Sequence, residues 1–261
     1  MSNLKSLFGT DHPVAIVTGS GSPRVGNCVA RTLAKRGYNL VIHANSSRAD
    51  ADATAKELSA AGGQAIALGA DLRDEDAIRK MIQGTLDRFG RIDVLVNCTA
   101  IWQRKPLEDV TASDVRHHFE INTLGTFLCC QQAGMVMAAQ QTGGAIVNLG
   151  DWAVVRPYFD YAAYFPSKGA IPALTRTMAV ELAKRNPRIR VNCVLPGPVM
   201  LPPELSAGER QAAIDATLVK REGSPQNVAD AVVGLIENDF ITGVCLPVDG
   251  GRSVYAPDNV D

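Results

Sequence analysis

Seven short apolar runs lie along the chain: VAIVT at 14–18, NLVIHA at 39–44, QAIALGA at 64–70, DVLVN at 93–97, AIVNL at 145–149, RVNCVLP at 190–196 and VCLPV at 244–248. They are rich in Val, Ile and Leu and do not alternate with polar residues. A strand with one wet face alternates, whereas a strand covered on both faces does not. The intervening segments have helical length. RVGNCVARTLAKRG at 24–37 and SRADADATAKELSAAGG at 47–63 end in glycine, and DEDAIRKMIQGTLDRFG at 74–90 opens with acids and closes on Arg88 and Gly90. Those ends suit the helix dipole and a left-handed cap. Repeated strand–helix–strand units imply right-handed crossovers. The expected fold is therefore α/β, a single-domain Rossmann-type doubly wound parallel sheet of about seven strands with helices on both faces. No linker, repeat or low-complexity block interrupts residues 1–261, so the whole chain reads as one domain. Only 198–226, with Pro202, Pro203 and Gly208, breaks the rhythm. It reads as a substrate-side lid or as an exposed insertion.

Composition narrows the function classes. Hydrophobic residues make up 46% and charged residues 20%, enough for a packed core. With 26 basic and 27 acidic side chains the formal charge is −1, which argues against nucleic-acid binding by bulk electrostatics. No run reaches membrane-spanning length, and MSNLKSLFGTDHP does not resemble a secretory leader. The six cysteines show no CxxC spacing and no His at ligand intervals, so no metal site is expected and they read as small hydrophobes of a cytoplasmic protein.

The first strand runs into TGSGSPRVG at 18–26. Glycines at a strand-to-helix turn let backbone approach a pyrophosphate, and the free N–H groups of the helix start meet its charge. Gly19, Ser20, Arg24 and Val25 are the candidate contacts. The end of the second strand addresses the adenosine. An NAD site usually carries an acid there for the ribose hydroxyl. HANSSR at 43–48 has none before Asp50, and Asn45, Ser46, Ser47 and Arg48, with Arg24 nearby, offer donors that suit a 2′-phosphate. NADP(H) is favoured over NAD(H), the alternative being a solvated loop. Asp71, followed by Leu72, stands where it could accept from an adenine amino group or cap the next helix. Asn97 ends the fourth strand, where ligands of open α/β sheets gather.

One more pattern carries chemistry. Tyr164 lies four residues before Lys168, and Asp151 lies thirteen before the Tyr. A free Tyr titrates near ~10. An ammonium one turn away lowers that value, and a tuned Tyr can pass a proton while a dinucleotide moves a hydride. With the turn at 18–26, DL at 71–72, NCTA at 97–100, Asn122 in FEINTLGTF, Tyr164-x-x-Ser-Lys168, PG at 196–197 and VDGG at 248–251 in order, the chain resembles the short-chain dehydrogenase/reductase family. The resemblance implies Tyr164 as proton donor or acceptor, Lys168 as its modulator and ribose ligand, and Asn122 as anchor of a relay water. It also implies cofactor contacts from Thr99, Ala100, Pro196, Gly197 and Val199, and a homotetramer paired through long helices such as the one containing TFLCCQQAGMVMAAQ at 126–140. That stretch reads equally as a buried helix.

Three departures stand out. The turn is one residue longer than the family's, with Arg24 at the middle glycine. Pro166 and Pro172 lie in the helix after Tyr164, where Pro172 should kink it or strip a carbonyl of its partner. The family's catalytic Ser is Asp151. An ionised Asp cannot donate, so facing Tyr164 it raises the phenol's pKa and favours an acid, hence reduction. The pteridine reductase branch is similar in this Asp, in Arg24 and Gly26, in His43 and Ser47, and in an aromatic at the position of Trp102, which there stacks the substrate. The expectation is an NADPH-dependent oxidoreductase acting on a small-molecule C=O or C=N bond, of pteridine-reductase type. The alternatives are a 3-oxoacyl-thioester or other carbonyl reductase, with Arg104 and Lys105 as the candidates for carrier docking, and a non-catalytic dinucleotide-binding protein.

Overall fold

The computed structural model describes residues 4–255; the outermost residues of the expected 1–261 domain lie outside it. All seven apolar runs are strands: β1 Val14–Thr18, β2 Asn39–Ala44, β3 Ala65–Gly69, β4 Val94–Asn97, β5 Gly144–Leu149, β6 Ile189–Pro196 and β7 Cys245–Val248. They pair in parallel in the order β3-β2-β1-β4-β5-β6-β7. The expected limits hold to within a residue.

The pleat sends alternate side chains of each strand to opposite faces. From β1, Ala15 and Val17 join Phe8 of α1 (Leu4–Phe8), Val29 and Leu33 of α2 (Val25–Lys35), Leu58 of α3 (Arg48–Ala60) and Val232 of α9 (Pro225–Glu237). Ile16 joins the other face with Ile78 of α4 (Glu75–Phe89), Cys129 of α6 (Gly125–Ala139) and Leu182 of α7 (Tyr164–Ala183). That double cover is why the runs lack polar alternation. Helix ends follow the expected chemistry. Asp74 caps α4 by accepting from Asp76 N–H at 2.9 Å, and Gly37, Gly62 and Gly90 follow their helices with positive φ.

Strand order reverses between β1 and β4, so their C-terminal ends, Thr18 and Asn97, face a common crevice. α7 continues through Pro172, whose missing amide leaves the Lys168 carbonyl without its helical donor. α5 (Ala112–His118) passes into α6 through a π-helical turn at Phe119–Leu124 that holds Asn122. The 198–226 segment contains α8 (Ala207–Asp215), started by a Ser206–Glu209 capping box. It is docked by Leu218 N–H on the Gly250 carbonyl, and an Arg210–Glu222 ion pair at 2.7 Å ties it to itself.

Candidate active site

Tyr164 opens α7 and its ring is buried. Its hydroxyl donates to Asp151 Oδ2 at 2.7 Å, and Asp151 Oδ1 accepts from Ala153 N–H at 2.8 Å. Asp151 ends the turn after β5 and caps the short helix Trp152–Val155. One turn into α7, Lys168 is buried and its Nζ donates to the Leu149 carbonyl at 2.6 Å. Strand β5 and its turn thus supply acceptors for both the phenol and the ammonium. Asn122 clamps the strand-end loop. Its Oδ1 accepts from Ile101 N–H at 2.8 Å, and its Nδ2 donates to the Ile101 carbonyl at 3.1 Å and to Ser167 Oγ at 2.9 Å.

The electrostatics pull in one direction. Burial first, then the Asp151 charge and hydrogen bond, push the Tyr164 phenol well above its ordinary range. Burial raises the Asp151 carboxyl too, against the hydrogen bonds from Tyr164 and Ala153 and the charge of Lys168. Burial lowers Lys168, and Asp151 opposes it. The arrangement keeps the Tyr a neutral acid with a proton to give.

Aromatic rings surround the phenol. Trp102 stacks on Tyr161 with centroids 4.7 Å apart and planes 13° apart. Tyr161 meets Tyr164 edge-on at 6.4 Å, and His118 does so at 6.3 Å. The outer indole face stays accessible, with Trp102 40% exposed. A cavity of about 410 Å³ lies between Gln103–Lys105, Asp114, His118, Asp160, Ala162 and Ala163. Arg104 pairs with Asp160 and Lys105 with Asp114, each at 2.7 Å. Arg252 lies over the Trp152 ring at 4.8 Å.

The glycine turn after β1 lines the crevice at the ends of β1 and β4. Gly19 has φ +62°, and a Cβ there would come within 3.0 Å of Thr99 Cα; a Cβ on Gly26 would lie 2.5 Å from the Gly19 carbonyl. α2 starts without a side-chain cap, so the amides of its first turn, at Val25 and Gly26, keep their donor capacity. Thr99 Oγ1 is buried without a partner. These features fit a bound pyrophosphate and ribose. On the adenosine side Asn45, Ser46, Arg24 and Arg48 are exposed. The Arg48 guanidinium lies over Gly69, where a Cβ would fall 1.4 Å from Nη1. Asp50 accepts from Ser22 Oγ at 3.5 Å, which brings an acid to the loop's edge.

Other candidates hold the scaffold. Ser20 is fully buried, donating to the Val17 carbonyl and accepting from His43 N–H. His43 is buried between the Gly19 amide at Nδ1 and the Ala70 carbonyl at Nε2, and desolvation lowers its pKa, so a neutral ring braces the turn. Both side chains are engaged by the scaffold, which leaves backbone contact as their route to a cofactor. Asp71 is held by Arg73 through Nε and Nη2; it does not cap α4, a role taken by Asp74. Asn97 Nδ2 bonds Asn148 Oδ1 across the sheet at 2.9 Å. Leu72 packs over Gly125, and Val199 is buried beside Gly223. Gly197 donates to the Val248 carbonyl next to Pro196, and its lack of a Cβ lets Asp249 approach. Ala100 is exposed at the crevice. The sequence reading passed over Tyr158 and Tyr161, although the aromatic density of YFDYAAYF at 158–165 was a visible signal.

Among the described residues no cluster could hold a metal ion, and no helix is long and apolar enough to cross a membrane. A family model described as Enoyl-(Acyl carrier protein) reductase matches residues 23–253. An uncharacterized oxidoreductase of Methylorubrum extorquens is 36% identical, covering 91% of this chain and 96% of its own. A 3-oxoacyl-[acyl-carrier-protein] reductase of Synechocystis is 33% identical, covering 93% and 97%. The crystal structure of acetoin dehydrogenase from Enterobacter cloacae superposes with a TM-score of 0.84 at 33% identity, covering 94% and 97%.

Proposed function

The chain belongs to the short-chain dehydrogenase/reductase family of oxidoreductases, and from that premise we propose that it is an NADPH-dependent reductase of a small-molecule C=O or C=N bond. The Tyr164–Asp151 hydrogen bond carries the reading. A phenol kept protonated by a buried carboxylate is suited to give a proton, not to take one. When bound, the nicotinamide supplies the hydride. Tyr164 delivers the proton, Lys168 offers its ammonium to the ribose, and Asn122 holds the loop and α7 in register. Arg24, Arg48, Asn45, Ser46 and Ser47 favour the 2′-phosphate of NADP(H), and Ser22 engages the nearby acid Asp50.

The substrate reading follows from what Asp151 cannot do. It offers a substrate only an acceptor, so a molecule with its own N–H or O–H donors is matched better than a simple ketone. The exposed indole of Trp102 provides a platform for a planar ring, which favours a pteridine-type heterocycle. A 3-oxoacyl thioester is the second reading, favoured by the Synechocystis relative. Against carrier docking, Arg104 and Lys105 are each neutralised by a carboxylate. Assembly as a homotetramer is supported by the outward apolar groove of Phe119, Leu124, Phe127 and Leu174 along α6 and α7, and 198–226 serves as the substrate-side cover.

The test is NADPH oxidation with a dihydropterin and an acetoacetyl thioester in parallel, with Asp151→Ser alongside. Turnover of the dihydropterin, lost in the variant, supports the leading reading. Turnover of the thioester alone, kept or raised in the variant, replaces it with the second.

A further inference from the structure

Fifty-two positions separate two cysteines that the sheet makes neighbours. Cys193 of β6 and Cys245 of β7 are register partners on parallel strands, so their side chains leave the same face. Both pack in one cluster with Ile171 of α7 and Leu195. Cys193 is fully buried, whereas Cys245 is partly exposed on the edge strand. The chain has six cysteines, all free, and no other two are register partners in the sheet. Cys129 and Cys130 are adjacent in α6 and both buried.

We propose that Cys193 and Cys245 form a reversible oxidation site, the two thiols joining in a disulfide when the protein meets a hydroperoxide. Cys245 is the attacking sulfur because it is the reachable one. The adjacent Cys193 thiol and the Arg176 guanidinium draw its pKa down, while the adjacent Cys245 and burial push Cys193 up. Among the cysteines Cys28, Cys98, Cys129 and Cys130 are all shifted up, burial leading in each. The Cys245 thiolate attacks one peroxide oxygen, the O–O bond breaks, and hydroxide (or alkoxide) leaves. Cys245 is then a sulfenic acid, oxidised by two electrons as the peroxide is reduced. The Cys193 sulfur displaces that hydroxyl, the S–S bond forms, and the Cys193 proton leaves with the hydroxyl as water.

The bridge has a route to the active site. A disulfide takes Cα atoms roughly 4.4–6.8 Å apart, and adjacent strands lie about 4.8 Å apart. Linkage therefore needs no strand movement, only that the Cys193 Sγ turn toward Cys245. Cys193 Sγ supports the underside of Gly150, 3.1 Å from where a Cβ there would lie, and Gly150 precedes Asp151.

The experiment uses the intact, reduced full-length protein in its native assembly with a few-fold excess of hydrogen peroxide. Peptide mapping and intact mass are read before and after dithiothreitol. The expected result is a Cys193–Cys245 linked peptide with the loss of two hydrogens, reversed by dithiothreitol and absent from Cys245→Ser. Iodoacetamide at neutral pH is expected to label Cys245 at least tenfold faster than Cys28 or Cys98. The proposal is overturned if Cys245 stays reduced, if it is oxidised to a sulfinic acid without a link to Cys193, or if the bridge forms between other cysteines. None of these readings depends on the substrate, so their failure leaves the reductase assignment standing, and the converse.

Discussion

Tyr164 gives its hydroxyl proton to a hydrogen bond with Asp151 Oδ2 at 2.7 Å, and both groups sit in a buried aromatic setting. Burial and the carboxylate hold the phenol well above its ordinary pKa. In Asp151→Asn the charge is gone and the phenol's pKa falls. The alkaline limb of kcat/KM for reduction should therefore move to lower pH, read from a pH–rate profile. An unchanged limb would show that Tyr164 is not the titrating acid.

Stability gives a second reading of the same pair. The folded Asp151 carboxyl holds its proton more tightly than the unfolded chain does. Its contribution is fully present below about 3.9 and is lost as pH rises through the raised folded value. Tyr164 behaves alike, its contribution being lost above about 10. Asp151→Asn removes the first loss, so its Tm should exceed that of the parent at pH 7 and converge with it near pH 3. Calorimetry at the two pH values decides it.

Tyr164→Phe keeps the ring and its contacts with Phe165 and Tyr161 while removing the proton. Losing a general acid costs about 10²–10⁴ in kcat. NADPH affinity, read by nicotinamide fluorescence, should change little. A variant with unaltered kcat would show that Tyr164 is not the acid that delivers the proton.

Arg48 is exposed over Gly69 at the adenosine end. A charged hydrogen bond to phosphate contributes about 1.5–3 kcal/mol, about ten- to a hundredfold in binding. Arg48→Ala should weaken NADPH by that factor and leave NADH nearly unchanged, measured as the ratio of the two Kd values. Equal weakening of both would assign Arg48 to the scaffold.

Gly26→Ala would place a methyl 2.5 Å from the Gly19 carbonyl. Overpacking costs roughly 1–3 kcal/mol, and each kcal/mol lowers Tm by about 2–4 °C in a chain of this size. The same displacement narrows the crevice, so cofactor affinity should fall together with Tm. A normal Tm with normal binding would contradict the close approach of α2 to the turn.

The strands were legible because doubly covered β-structure leaves continuous Val, Ile and Leu runs, and VAIVT already showed both faces buried. The Tyr164, Lys168 and Asp151 set was legible because helical spacing brings 164 and 168 to one face, and β5 ends close to that face. What the side chains of His43 and Ser20 do was not legible, because a polar residue at a strand end looks the same whether it faces a ligand or satisfies the backbone. Only the Gly19 and Ala70 partners of His43 distinguish the two. The Trp102–Tyr161 stack and the Cys193–Cys245 neighbourhood were invisible for a simpler reason: each joins residues more than fifty positions apart, and only the chain's route fixes their meeting.

If Arg48 holds the 2′-phosphate as proposed, Gly69 bears on cofactor choice from a neighbouring strand. It ends β3, on the strand beyond the one that leads to Arg48, and the guanidinium occupies the volume its missing side chain leaves empty. Any larger residue there would evict the arginine while leaving HANSSR unchanged. On the proposed role of Arg48, two homologues with the same second-strand end would differ in nucleotide preference for a cause one strand away, and engineering that preference would begin at the vacated volume as much as at the charge.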